Sequence, residues 1–108
     1  MKVAITSSGN TLKSKLDRRF GRCSYFAIYD TETEQVDFIQ NSSKEVEEGA
    51  GPAAVQFVAS IPVEKIVSGE FGFKIKSLLV ELKIQMIAVK DIAVTVEDIV
   101  LLLKNNNE

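Results

Sequence analysis

Residues 65–89 read KIVSGEFGFKIKSLLVELKIQMIAV, two short apolar runs around a helical pattern. Lys65-Ile66-Val67 and the run from Gln85 to Val89 have the length and composition of buried strands. Between them Ile75, Leu78, Leu79 and Leu82 recur at i, i+3, i+4 and i+7, the stripe of an amphipathic helix. A strand, a helix and a second strand in this order make a parallel pair joined by a right-handed crossover. Upstream, Gly51-Pro52 opens another helix through Ser60, because Pro is pre-shaped for the first helical position. Downstream, Thr95 with Asp98 three residues later resembles a capping arrangement, opening a last helix that runs to about Lys104.

The first half of the chain follows a different rhythm. Val3 to Thr6 is a short apolar strand, and Tyr25-Phe26-Ala27-Ile28-Tyr29 suits a strand covered on both faces. Asp30-Thr31-Glu32-Thr33-Glu34 supplies turn residues before a third strand, Val36-Asp37-Phe38-Ile39, so the second and third strands form an antiparallel hairpin. The element order is βββαβαβα: an α/β chain with a mixed five-stranded sheet. We read residues 1–104 as a single domain and Asn105-Asn106-Asn107-Glu108 as a frayed polar tail.

Composition excludes several kinds of chemistry. Of 108 residues, 45% are hydrophobic and 26% charged, which is globular rather than disordered. Lys plus Arg is 13 against 15 Asp plus Glu, a net charge of −2 that argues against a nucleic-acid-coating role. The chain has no histidine and a single cysteine, Cys23. A zinc or iron–sulfur site built from one chain needs three or four such ligands. Ser-His-Asp, Cys-His and histidine general-base catalysis fall by the same count. No internal disulfide can form, and nothing points to an oxidising compartment. The first apolar run is too short for a signal-peptide core, and Ile99 to Leu103 is far below the roughly 20 residues that span a bilayer. The expectation is a soluble, cytoplasmic protein with no membrane partner.

In open α/β sheets ligands favour the crevice beyond the carboxyl ends of the strands. Three loops are expected there: Ser7 to Cys23, Glu47 to Pro52, and Ser68 to Lys74. Residues 13–22 carry five positive side chains (Lys13, Lys15, Arg18, Arg19, Arg22) against one negative, while residues 30–48 carry seven negative against one positive. The basic loop is either a solvated surface or a lure for an anionic ligand. Lys74 and Lys76 open the second helix, where the dipole disfavours cations and free N–H groups favour anions. Gly69 and Gly72 either let the backbone approach a ligand or simply shape a turn. Cys23 follows three arginines that would lower its pKa toward a reactive thiolate; otherwise it is a small buried hydrophobe.

Phe20-Gly21-Arg22-Cys23-Ser24-Tyr25-Phe26-Ala27-Ile28-Tyr29-Asp30-Thr31-Glu32-Thr33 is similar to the HFGRxxYFxIxDxET stretch of the dinitrogenase iron–molybdenum cofactor biosynthesis family. Met1 to Ile5 resembles that family's first strand, Gly49-Ala50-Gly51 its HGAG helix start, and Gly69 to Lys74 its GxxGxxA loop. Arg19 and Glu48 stand where the family carries histidine. The resemblance implies a ribonuclease H-like three-layer α/β/α fold without nuclease activity. It also implies a non-catalytic carrier for the iron–molybdenum cofactor or an iron–sulfur precursor, working with protein partners in cofactor assembly. Within it, Arg19, Gly21, Arg22, Gly49, Gly51, Gly69, Gly72 and Lys74 become candidates for holding an anionic cluster or small anion, with Cys23 as the metal ligand. The alternative is an interaction or regulatory module of the same fold that has lost the metal. A ribonuclease H-like nuclease needs clustered carboxylates, and Thr6 to Asn10 after the first strand contain none.

Overall fold

A computed structural model describes residues 1–91 and 93–105 of the chain. Strands β1 (Lys2–Ser7), β2 (Tyr25–Asp30) and β3 (Val36–Gln40) precede helix α1 (Ala50–Ser60); β4 (Lys65–Ser68), α2 (Phe73–Glu81), β5 (Gln85–Ala88) and α3 (Val96–Asn105) follow. The sheet order is β3-β2-β1-β4-β5. β1 pairs antiparallel with β2 and parallel with β4, β2 pairs antiparallel with β3, and β4 pairs parallel with β5. The mixed sheet and the element order are those expected.

Alternation along the strands builds two cores. Ala4, Phe26, Ile28 and Ile66 face one way and meet Ala54, Val55 and Val58 of α1 and Ile75 and Leu79 of α2. Val3, Ile5, Ala27, Tyr29 and Val67 face the other way and meet Val96, Ile99 and Val100 of α3. Successive strand side chains point to opposite faces, so residues such as Phe26-Ala27-Ile28-Tyr29 feed both cores in turn. The result is the three-layer α/β/α arrangement, with α1 and α2 on one face and α3 on the other.

Several details differ from the sequence reading. Leu82 was expected on the buried stripe of α2, but the helix ends there and Leu82 is 49% exposed. Ile84 takes its place in the core, its N–H donating to the Leu79 carbonyl at 2.9 Å. Lys83, at φ 61°, makes the left-handed step that lets the chain turn back into β5. Pro52 is the third residue of α1 rather than the first, and the left-handed Gly49 (φ 78°) precedes the helix. The capping box of α3 forms as expected: Thr95 N–H donates to Asp98 Oδ2 at 3.0 Å, and Asp98 N–H to Thr95 Oγ1 at 3.1 Å. Asn105 closes α3 rather than opening a tail; residues 106–108 lie outside the described residues.

Candidate functional site

Beyond the carboxyl ends of β1 and β4, three chain segments meet around a cleft of about 500 Å³. Arg19, Gly21 and Arg22 come from the loop after β1; Glu47 to Gly51 lead into α1; Glu70, Gly72 and Ile75 lead into α2. These are the three loops expected from the sequence. Their approach is fixed by close packing. The Phe20 ring lies 5.8 Å from Phe26 in β2 and 6.1 Å from Phe71, which ties the first loop to both the sheet and the third loop. A Cβ on Gly21 would stand 2.9 Å from the Gly51 Cα, so only glycine lets that loop rest on the start of α1.

Both helices begin at the cleft, and neither has a side-chain cap or an acidic first turn. The first intrahelical bonds are Ala53 N–H to the Gly49 carbonyl and Lys76 N–H to the Gly72 carbonyl, each at 3.0 Å. The N–H groups of Ala50 and Gly51, and of Phe73, Lys74 and Ile75, therefore have no acceptor within their own helices. Pro52 has no N–H to add. Two positive dipole ends and their donors converge on one cavity, which favours a negative ligand. Arg19 also lines the cleft, its positive charge partly offset by Asp17, whose Oδ1 lies 3.6 Å from its Nε. Glu47, Glu48 and Glu70 also line the cleft, and all three are exposed. The floor under them is buried Phe20, Ala50 and Ile75. An anion is thus favoured at the floor, where the helices start, and disfavoured at the outer edge.

The structure brings most of the expected site residues together and removes others. Arg19, Gly21, Arg22, Gly49, Gly51 and Gly72 line this cleft. Gly69 lines a neighbouring cleft of about 350 Å³ with Asp17, Arg18, Arg19 and Glu70. Its need for glycine is explained within the fold: a Cβ there would fall 2.5 Å from the Arg18 Cα. That contact allows Gly69 N–H to bond the Asp17 carbonyl (3.2 Å) and Glu70 N–H the Arg18 carbonyl (2.8 Å). Arg22 borders the cleft but its guanidinium is committed to the backbone. Nη1 donates to the carbonyls of Lys44 (2.9 Å) and Val46, and Nη2 to that of Glu47 (3.2 Å). It clamps the acidic loop before α1 instead of facing a ligand. The Lys74 side chain is exposed and lines neither cleft, leaving its backbone N–H as its contribution. Lys13 is drawn away altogether, its Nζ 2.7 Å from Glu97 of α3.

Of the two readings of Cys23, the structure shows the small buried side chain. It has no exposed surface, packs in the core with Phe20 and Phe26, and donates its S–H to the Phe20 carbonyl at 3.3 Å. Burial, reinforced by the Asp17 charge, pushes its pKa up from 9.0 to about 12. Neighbouring arginines do not lower it, because their charged groups turn elsewhere: Arg18 toward Glu70, Arg19 toward Asp17, Arg22 toward the 44–47 carbonyls. At neutral pH the buried, metal-free side chain is a thiol rather than a thiolate. Among the described residues no group of three or more His, Cys, Asp or Glu side chains is placed to hold a metal ion.

Two supports of the site were missed in the sequence. Asn41 is buried, and its Nδ2 donates to the Gly21 (3.0 Å) and Cys23 (2.9 Å) carbonyls, holding the first loop from below. Thr6, at the carboxyl end of β1, donates its hydroxyl to the Asp17 carbonyl (2.7 Å) and lies 3.1 Å from Ser68 Oγ. A buried Asn or Thr beside loop carbonyls is not marked by spacing in one sequence; the only signal is the position of Thr6 at a strand end.

Comparison with known proteins agrees with this fold. Residues 1–106 match the family described as dinitrogenase iron-molybdenum cofactor. Among solved structures, the apo form of the orange protein from Desulfovibrio gigas is similar, with 28% identity and a TM-score of 0.85 over 93% of this chain and 83% of that one. A protein from Thermotoga, provisionally described as NifB and placed in the DUF35 family, has 29% identity and a TM-score of 0.80, covering 98% of this chain and 88% of its own. No curated protein matches the chain.

Proposed function

The chain belongs to the dinitrogenase iron-molybdenum cofactor family, and from that membership we propose that it is a non-catalytic carrier of an anionic metal cluster. The cargo is the iron–molybdenum cofactor or an iron–sulfur precursor, held in the cleft between α1 and α2. The observation that carries this reading is the convergence of two uncapped helix starts on one cavity of about 500 Å³. Such a site binds through hydrogen bonds from Ala50, Gly51, Phe73, Lys74 and Ile75 and through the charge of Arg19, all directed at the cluster's negative outer atoms. It needs no protein ligand on the metal, which accords with a buried Cys23 and a chain without histidine. Weak, non-covalent holding suits hand-over to a protein partner in cofactor assembly. That one similar structure was solved as an apo form supports a protein that exists both with and without a load.

The test is anaerobic gel filtration of the full chain with isolated iron–molybdenum cofactor, followed by absorption and metal analysis of the protein peak. Wild type and Cys23→Ala are expected to retain the cluster equally, Arg19→Gln to retain less, and Gly72→Asp, which sets a carboxylate at the start of α2, to lose it. Loss of retention in Cys23→Ala would make the thiol a ligand and sink the assignment. Retention in Gly72→Asp equal to wild type would remove the cargo from this cleft. Molybdate bound with no cluster retained would favour the alternative, a small-anion regulatory module.

A further inference from the structure

A second cavity lies on the opposite face of the sheet, toward the other end of its strands. There α3 packs over β1 and leaves a groove of about 280 Å³ beside it, above β4 and β5. Its floor is Val67, Ile87 and Val89, and its wall is Ile99 and Leu103 of α3. Its amino end, where β1 and β4 begin, is bordered by Met1, Thr31 and Lys65. Strand alternation sets this chemistry: Ile66 belongs to the core under α1 and α2, so Val67 and Lys65 face α3. The Lys65 ammonium has no hydrogen bond or ion pair with any described residue, whereas the Met1 amino group is paired with Glu32 at 3.5 Å.

We propose that this groove binds a free medium-chain carboxylate, its hydrocarbon chain along Val67, Ile87 and Val89 and its carboxylate on Lys65. The size argues for it: at roughly 30 Å³ per heavy-atom-sized unit the groove holds about eight to ten of them. The composition argues for it too: an apolar trough whose amino end holds the Lys65 ammonium, beside a Met1 amino group already paired with Glu32, matches an apolar chain with one anion at its end. An ammonium without a partner among the described residues gains more from a carboxylate than from a neutral alcohol, because a charge-assisted hydrogen bond is about twice as strong as a neutral one. The groove is concave and bounded by a helix, so the chain enters end-on as a free molecule. This inference does not rest on the cluster reading of the opposite cleft.

The test is an NMR titration of the full chain with hexanoate, octanoate, decanoate, octanol and octylamine, each kept below its micelle concentration. Expected are shifts confined to Lys65, Val67, Ile87, Val89, Ile99 and Leu103, with affinity rising about fourfold per added methylene until the groove is full. Octanoate should bind about tenfold more tightly than octanol, with octylamine weakest. Lys65→Gln should bring octanoate down to the level of octanol and leave octanol unchanged, while Lys65→Arg restores the preference. Any of three results overturns the proposal: no shifts with octanoate at about 1 mM, equal binding of octanoate and octanol, or sedimentation and spectra showing that a second copy of the chain covers this face.

Discussion

The thiol of Cys23 is fully buried and donates to the Phe20 carbonyl, so ionising it in place would leave a charge without water, which the Asn41 Nδ2 donor 3.9 Å away only partly offsets. Its folded pKa, near 12, stands above the ordinary 9.0. A raised pKa contributes stability that is complete below the unfolded value and lost as pH climbs toward the folded one. The wild type is therefore expected to lose stability between about pH 9 and pH 12 through this group, and Cys23→Ala to lack that component. Urea midpoints of both proteins across this range are the check; parallel pH profiles would refute it. At neutral pH the substitution should cost about 1 kcal/mol, the order of one buried methylene-sized group. The glycines separate just as sharply. Gly69→Ala forces a Cβ to 2.5 Å from the Arg18 Cα and 3.0 Å from its carbonyl oxygen, an overpacking cost of about 2–3 kcal/mol. Gly72→Ala meets nothing nearer than Ile75 Cγ1 at 3.9 Å and should stay within about 0.5 kcal/mol of wild type. Chemical denaturation of the two variants compares them directly, and a Gly69→Ala protein as stable as Gly72→Ala would mean that the strap between the two loops gives way cheaply.

Among the elements, α2 sets its stability against the anion site proposed at its start. Gly72 precedes the helix with extended backbone (φ −64°, ψ 159°), a conformation open to any residue. A capping Asp there would satisfy one of the free first-turn N–H groups, a gain of a few tenths of a kcal/mol over Gly. The same carboxylate would occupy the donors that an anion needs. Gly72→Asp is thus expected to raise the urea midpoint slightly while abolishing anion binding, and a variant that lost both would point to a purely structural defect. This opposition explains how much of the molecule was legible beforehand. Periodicity exposed α2 because Ile75 and Leu79 are packed at helical spacing, and it failed at Leu82 because a stripe does not say where the helix stops. The strand under both cores was legible from an unbroken apolar run, Phe26 to Tyr29. The basic loop left the directions of Cys23 and Arg22 open because adjacency in sequence does not fix direction: Arg22 reaches across to the carbonyls at 44–47, and Cys23 turns inward. The glycines of the cleft were legible as types and partly misread in role, Gly69 serving backbone contact and Gly72 leaving a helix start open.

At the scale of the whole molecule, the cleft exists only when the sheet has formed. The loop after β1, the start of α1 and the loop after β4 are distant in sequence, and the order β2-β1-β4 brings them to one edge. The Phe20–Phe71 contact and the Gly21–Gly51 approach then hold them there. An unfolded chain offers no such convergence, so an anion that bridges α1 and α2 binds the native state alone. Ligand present at a hundred times its Kd should then add about 2.7 kcal/mol to the unfolding free energy. For a chain of this size each kcal/mol moves the midpoint by about 4–8 °C, so anaerobic calorimetry with saturating cofactor is expected to raise Tm by about 10–20 °C. The gain should vanish in Gly72→Asp and persist in Cys23→Ala. A rise of equal size in Gly72→Asp would place the ligand elsewhere, and a rise lost only in Cys23→Ala would restore the thiol as a ligand. Because the coupling runs through three segments at once, the stabilisation must also appear in hydrogen exchange at α1, α2 and the loop after β1 together.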